Sequence, residues 1–188
     1  MATNRRLVPS ESDFYPTPAW VTEALMECEY FDGKIWEPCC GDGAMSEVLK
    51  QKYDVISTDL HDRGYGSGGI DFLQVEPCPF DNIVTNPPFN IAEDIFHKAY
   101  SIATRKVALL LRLAFLEGGG RYLRIFDKHP PARLHVFSER VTMYPGGAKA
   151  TGTGTTAYAW FVWDKLSPVQ TRVFWIPPGR KPKKEKIE

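Results

Sequence analysis

Residues 106–112, Lys-Val-Ala-Leu-Leu-Leu-Arg, form an apolar run of strand length with no polar alternation. A strand with one wet face alternates. A strand that is apolar throughout is covered on both faces, as in the interior of a parallel sheet. The rest of the chain has to supply that cover. Further strand-like segments occur at 34–37, 54–58, 80–85, 134–137, 157–163 and 172–176. Between them lie helical patterns. One starts after Thr17 and places Trp20, Val21, Ala24, Leu25 and Cys28 on one face. Thr17 is the expected cap, with Pro18 at the first helical position. Others cover 44–52, 91–104 (Ile91, Ile95, Ala99 and Ile102 on one face) and 121–128. Gly-rich loops are expected at 61–69 and 144–155, with a turn or hinge at Gly118–Gly120. Strands alternating with helices at this spacing predict an α/β fold with a largely parallel sheet. The expected organisation is a flexible N-terminus over 1–13, one domain over 14–176, and a basic, disordered tail over 177–188.

The composition fits one domain. The chain has 188 residues, of which 43% are hydrophobic and 13% aromatic, enough apolar material for a single core. The longest apolar stretch, 107–111, is far short of a membrane helix. The N-terminus lacks the apolar stretch of a signal peptide. Cys28, Cys39, Cys40 and Cys78 show no CxxC pair, which argues against a disulfide scaffold and reads as small buried thiols in a cytoplasmic protein. His61, His97, His129 and His135 have no ligand spacing, so no metal is expected and they read as surface or packing residues. Net charge is zero, but residues 1–104 carry −10 and residues 105–188 carry +10. The split suggests a polyanionic partner for the basic half, unless the halves interleave and the charges mix on one surface.

Parallel sheets bind ligands at the carboxyl ends of their strands, so residues just after strands are informative. The first strand runs into Glu37-Pro38-Cys39-Cys40-Gly41-Asp42-Gly43. Glycines here let the backbone approach a ligand and turn into a helix. The third glycine of a dinucleotide fingerprint is missing, because position 46 is Ser. Asp59 ends the second strand, 22 residues after Glu37. An acid there can accept from both ribose hydroxyls of a nucleoside, or simply cap a turn. Asp71-Phe72 follows 12 residues on and could meet an adenine by its amino group and one face, or stay solvated. The sharpest local signal is Asn86-Pro87-Pro88-Phe89 after the strand 80–85. Two prolines fix a rigid turn from which an Asn side chain and a backbone carbonyl can converge on one planar amine. Gripping both N–H bonds favours pyramidal nitrogen and frees a lone pair that is otherwise delocalised into the ring. Phe89 offers that ring a stacking face. An ordinary Pro-Pro turn is the alternative.

Taken in order, Phe14-Tyr15-Pro16-Thr17-Pro18, the Glu37–Gly43 loop, Asp59, Asp71-Phe72 and Asn86-Pro87-Pro88-Phe89 resemble the motifs of class I S-adenosylmethionine-dependent amino-methyltransferases. The likeness covers residues 14–164. It is strongest to small phage- or prophage-type DNA adenine-N6 methyltransferases, and it includes 111–117 and 159–164. The resemblance implies a Rossmann-like, mostly parallel seven-stranded sheet with helices on both faces and one antiparallel strand, for which 157–163 is the candidate. It implies S-adenosyl-L-methionine as cofactor. Tyr15, Thr17 and Pro18 would line its methionine end, and Glu37, Cys40, Gly41 and Gly43 its loop. Asp59 would take the ribose hydroxyls with Leu60 beside the adenine, while Asp71 would meet the adenine amine with Phe72 near it. Asn86 and the Pro87 carbonyl would hold the target amine in the Asn86-Pro87-Pro88-Phe89 turn, with Phe89 stacked on a base flipped out of DNA.

Two features depart from that family. Its catalytic tetrapeptide usually ends in Tyr rather than Phe. No separate target-recognition domain is visible, so specificity is weak or comes from a homodimer partner. The same tetrapeptide occurs in methyltransferases acting on protein glutamine and on RNA bases. The basic half and the Phe14–Pro18 motif favour DNA. A cytosine-C5 enzyme needs a thiol nucleophile, but Pro77-Cys78 lies before its strand instead of after it. A nucleic-acid-binding module without catalysis is the reading from a different class, and cofactor binding separates the two.

Overall fold

The computed structural model describes residues 14–144, 146, 156–167 and 170–182. Within them, β1 (Ile35–Glu37), β2 (Val55–Ser57), β3 (Phe80–Thr85), β4 (Ala103–Arg112), β5 (Arg133–Phe137), β6 (Tyr158–Asp164) and β7 (Arg172–Ile176) form one sheet. Its order is β2-β1-β3-β4-β6-β5-β7. β6 runs antiparallel to both neighbours and every other pairing is parallel. The expected seven-stranded architecture is therefore present, with the antiparallel strand where the sequence placed it.

The apolar run behaves as its composition demands. Val107 through Leu111 are each at most 1% exposed. Alternate side chains enter opposite layers. Val107, Leu109 and Leu111 pack with Ile95, Phe96 and Ala99 of α3 (Ala92–Ile102). Ala108 and Leu110 pack with Val21, Ala24 and Leu25 of α1 (Ala19–Cys28) and with Met45 and Leu49 of α2 (Ala44–Leu49). Each buried Leu contributes ~1.5–3 kcal/mol, which makes β4 the spine of both layers. α3 stops at Ile102 and β4 begins at Ala103, earlier than the sequence pattern suggested. Ala103 is extended and pairs with Phe80 across an irregularity in the β3–β4 register, so no loop intervenes. At the opposite edge β7 leaves Val173, Phe174 and Trp175 exposed.

The fold brings part of the charge split together. Arg105 pairs with Asp32, Lys106 and Arg133 with Glu29, Arg121 and Arg124 with Glu93, and Arg180 with Glu27. In each pair the cation comes from the basic half and the acid from the acidic half. Arg180 lies in the expected tail, where its backbone N–H also donates to Glu139. Four of these pairs use arginines that the sequence alone would offer to a polyanion: Arg121, Arg124, Arg133 and Arg180. Most of the 144–155 loop, including Lys149, lies outside the described residues. No helix of the described residues is long and apolar enough to cross a membrane.

Glu29 is the buried centre of this network. It accepts from Lys106 at 2.8 Å, from His135 Nε2 at 2.9 Å and from Arg133 through both carboxylate oxygens. His135 is thus a buried partner of α1 and no surface residue. The cysteines also divide: Cys40 is buried and Cys39 half-buried, whereas Cys28 and Cys78 are exposed, contrary to the uniform burial their composition suggested. Both exposed thiols flank secondary structure: Cys28 ends α1, and Cys78 precedes β3.

Candidate active site

One pocket, open on one side to solvent, lies where the ends of β1, β2 and β3 meet. Its first wall is the turn after β1. Gly41 has φ +57°, and a Cβ there would stand 2.2 Å from the Phe14 ring, so only glycine lets Phe14 close on the loop. Gly43 (φ +85°) starts α2 in the left-handed region, under the Tyr65 ring. The Gly41 N–H donates to Asp59 Oδ2 at 2.8 Å, and the His61 N–H donates to Oδ1 at 2.8 Å. Asp59 therefore fastens the β1 loop to the β2 end, and each oxygen keeps a lone-pair direction beyond these bonds.

Glu37 is buried at 2% exposure and accepts from Ser46 of α2. Burial pushes its carboxyl up to about 8, helped by the negative charges of Asp59 and Asp42 and opposed by the Ser46 bond. The same surroundings keep the neighbouring thiols protonated: burial, with Glu37 and Asp59, raises Cys40 to about 12 and moves Cys39 upward as well. A thiolate nucleophile is unfavourable here. Asp71 Oδ1 accepts the Leu73 N–H at 3.0 Å, and Phe72 packs edge-on against Trp36 at 5.1 Å.

The second wall is the turn after β3. Asn86 Nδ2 donates to the Tyr15 carbonyl at 3.3 Å, to Thr17 Oγ1 at 3.1 Å and to Met143 Sδ at 3.5 Å. A carbonyl can only accept, which fixes the amide orientation. Asn86 Oδ1 is then left buried with no partner. Buried acceptors are nearly always paired, so this one marks a place for a donor. Thr17 consequently does not cap α1. Pro18 holds the cap position, no side-chain cap bond forms, and the hydroxyl serves Asn86 instead. Phe89 opens a 3-10 turn, Phe89–Ile91, and lies near Tyr15 (6.2 Å) and Tyr158 (5.8 Å), with the Arg112 guanidinium 4.2 Å over its ring.

Tyr15, Thr17, Glu37, Cys40, Asp59, Leu60, Asp71, Phe72, Asn86, Pro87, Pro88 and Phe89 all line this pocket. Pro18, Gly41 and Gly43 do not line it and shape its backbone from behind. Sequence reasoning passed over His61, Arg63, Met45 and Ile95, which also line it, and Met143 and Tyr158, which contact Asn86 or Phe89; Arg112, which the sequence offers only as one of several cations for a polyanion, lies over Phe89. Arg63 stacks over Phe14 at 4.4 Å. Its only sequence cue is the Gly-rich loop that carries it. Among the described residues no group of three or more potential metal ligands gathers.

No protein-family model and no curated protein sequence matches the chain. Solved structures do. A Pyrococcus horikoshii protein described as an RNA methyltransferase superposes with TM-score 0.62 at 13% identity, over 86% of this chain and 91% of that one. A Vibrio vulnificus protein described as the modification subunit of a type I restriction enzyme gives 0.58 at 15%, over 92% of this chain and 49% of its own, so this chain spans about half of that subunit. The 23S rRNA methyltransferase ErmE gives 0.54 at 17%, over 80% and 69%. At such identities the shared property is the fold, a Rossmann-like fold of the methyltransferase type.

Proposed function

We propose that this protein is an S-adenosylmethionine-dependent methyltransferase acting on the N6 amine of adenine in DNA. The observation that carries this reading is Asn86 Oδ1, a buried acceptor without a donor, in the pocket that also holds Glu37 and Asp59. The lining suits the cofactor. Its buried acid, Glu37, is held protonated by desolvation, and a cationic ligand beside it would favour its ionised form. Tyr15 and Thr17 would hold the methionine end with Pro18 fixing their backbone from behind, and Glu37 and Cys40 would line the loop around it, which Gly41 and Gly43 shape. Asp59 would accept from the ribose hydroxyls through its remaining lone pairs, with Leu60, Asp71 and Phe72 at the adenine. When bound, S-adenosylmethionine supplies a methyl group on a positive sulfur that leaves without acid or base help, so alignment is the main demand.

The chain's own residues meet that demand at the amine. Asn86 Oδ1 accepts one N–H and the Pro87 carbonyl the other, which localises the nitrogen lone pair. Pro88 keeps the turn rigid, and Phe89 stacks on the ring. The target base leaves the duplex to reach this depth. A base in RNA is the second reading, favoured by the likeness in fold to a protein described as acting on RNA over nearly its whole length. Incubation with methyl-labelled cofactor and separate DNA, RNA and protein acceptors, then digestion, tests both. N6-methyladenine from DNA is the expected product. Label confined to RNA transfers the reading to that acceptor, and label confined to glutamine overturns it.

A further inference from the structure

We propose that the Arg112 guanidinium fills the target slot while no acceptor is present, and leaves it to pair with the phosphate of the nucleotide that takes its place. The proposal rests on the reading of Asn86 and Phe89 as the acceptor site. It deepens that reading by making the backbone phosphate, along with the base, part of what is recognised.

Four observations converge on Arg112. Its Cζ lies 4.2 Å from the Phe89 ring centroid, a stacking separation, and a guanidinium is planar like a base. Phe89 is half-buried and packs against the buried layer under α1, so its ring is held in place beneath the guanidinium. Arg112 is exposed, ends β4 and faces Tyr158 across the β4–β6 ladder. Among the described residues no carboxylate lies within salt-bridge distance of it, whereas Arg105, Arg121, Arg124, Arg133 and Arg180 all have one.

The physical consequence is directional. An incoming ring and the guanidinium cannot share one face of Phe89. Moving Arg112 forfeits a solvent-exposed cation–π contact, a weaker interaction than a charge-assisted bond to a phosphate oxygen. A nucleotide supplies that phosphate as it displaces the cation, whereas a glutamine side chain or a free nucleoside displaces the cation and offers nothing in return. Arg112 is a positioning and specificity residue in this scheme. It makes no bond to the reacting amine.

The test compares wild type, Arg112→Ala and Arg112→Lys on two acceptors, a short adenine-containing oligonucleotide and adenosine, which has no phosphate. Adenosine is followed by turnover or by competitive inhibition of the oligonucleotide reaction. Arg112→Ala is expected to raise KM for the oligonucleotide about tenfold with a smaller change in kcat, the worth of one charge-assisted bond. The same variant should leave adenosine unchanged or improved, because the slot is vacated. Its salt dependence should be shallower by about one in log–log slope. Arg112→Lys restores the charge and should return KM to within about threefold of wild type. Equal losses on both acceptors would mean that Arg112 merely braces Phe89, and an unchanged oligonucleotide KM would remove the phosphate contact; either result overturns the proposal alone. Wild-type transfer to glutamine peptides and to neither adenine acceptor refutes the underlying reading and the proposal with it.

Discussion

Replacing Glu29 by Gln removes a buried negative charge from beneath Lys106, Arg133 and His135. Burial alone would raise this carboxyl, but hydrogen bonds from His135, Arg133 and Lys106 and the Lys106 charge hold it at about 2. A carboxyl carried from its ordinary 4.5 down to about 2 contributes about 3 kcal/mol at neutral pH. Breaking a buried ion pair by removing one partner typically costs ~3–5 kcal/mol, so two independent arguments agree. Because the folded value is depressed, this stability is fully present above 4.5 and is lost as pH falls toward 2. His135 behaves oppositely. Burial lowers it, but Cys28 and Glu29 raise it to about 9, so its contribution is full below 6.5 and fades as pH rises through 9. Urea unfolding followed by tryptophan fluorescence should show Glu29→Gln about 3 kcal/mol less stable at pH 6, with an unchanged m-value. Below 4.5 the two proteins should converge. Lys106, Arg133 and Asp164 lie at the ends of their strands away from the pocket, so turnover per folded molecule should be unaltered. A loss under about 1 kcal/mol, or parallel acid limbs, would refute the reasoning.

Three further outcomes concern the pocket. Asn86→Ala should lower kcat by ~10²–10³ while cofactor affinity stays within a few fold, and more than about a tenth of wild-type turnover would unseat Asn86 from the reaction. Asp59→Ala should weaken cofactor binding at least ~10-fold and also cost ~1–3 kcal/mol of stability, since the Gly41 and His61 N–H groups lose their acceptor; calorimetry on the folded variant showing wild-type affinity would leave it a purely structural acid. Glu37, held up at about 8, favours the ligand-free fold at low pH and loses that contribution as pH rises through 8. A cationic cofactor favours its ionised form, so binding at pH 7 should release a proton and tighten as pH approaches 8. Titration calorimetry in buffers of different ionisation enthalpy reads that release, Glu37→Gln should abolish it, and its absence in wild type would show that Glu37 does not face the ligand's charge.

The sheet was legible because its strands carry two-sided burial in their composition. The run 106–112 could only be interior, and residues 157–163 are as apolar as their place beside β4 requires. Pocket residues that follow strands were equally legible, since strand ends and turn chemistry are local. What escaped was long-range. Nothing local to Thr17 says that its hydroxyl is spent on Asn86, 69 residues away, instead of on a helix cap. Nothing local to Arg112 says that it stacks on Phe89, and His135 reads as an ordinary polar residue until Glu29 is brought to it from 106 positions earlier. The charge split was visible as arithmetic, but whether it addresses a partner or the chain itself depends on which strands become neighbours.

That self-addressed charge has a consequence for how the molecule could be taken apart. Residues 1–104 carry −10 and residues 105–188 carry +10, and Glu27, Glu29, Asp32 and Glu93 all pair with arginines or lysines across that divide. β3 likewise has no partner on its far side until β4 arrives, and β4 none on its own until β6 does. The first part made alone would be a polyanion with an open sheet edge, and the second a polycation with the matching edge. Two such fragments, cut in the junction between α3 and β4, are mutually attractive at long range and complementary at contact. Reassociation of the two fragments should therefore be faster at low salt than at high salt.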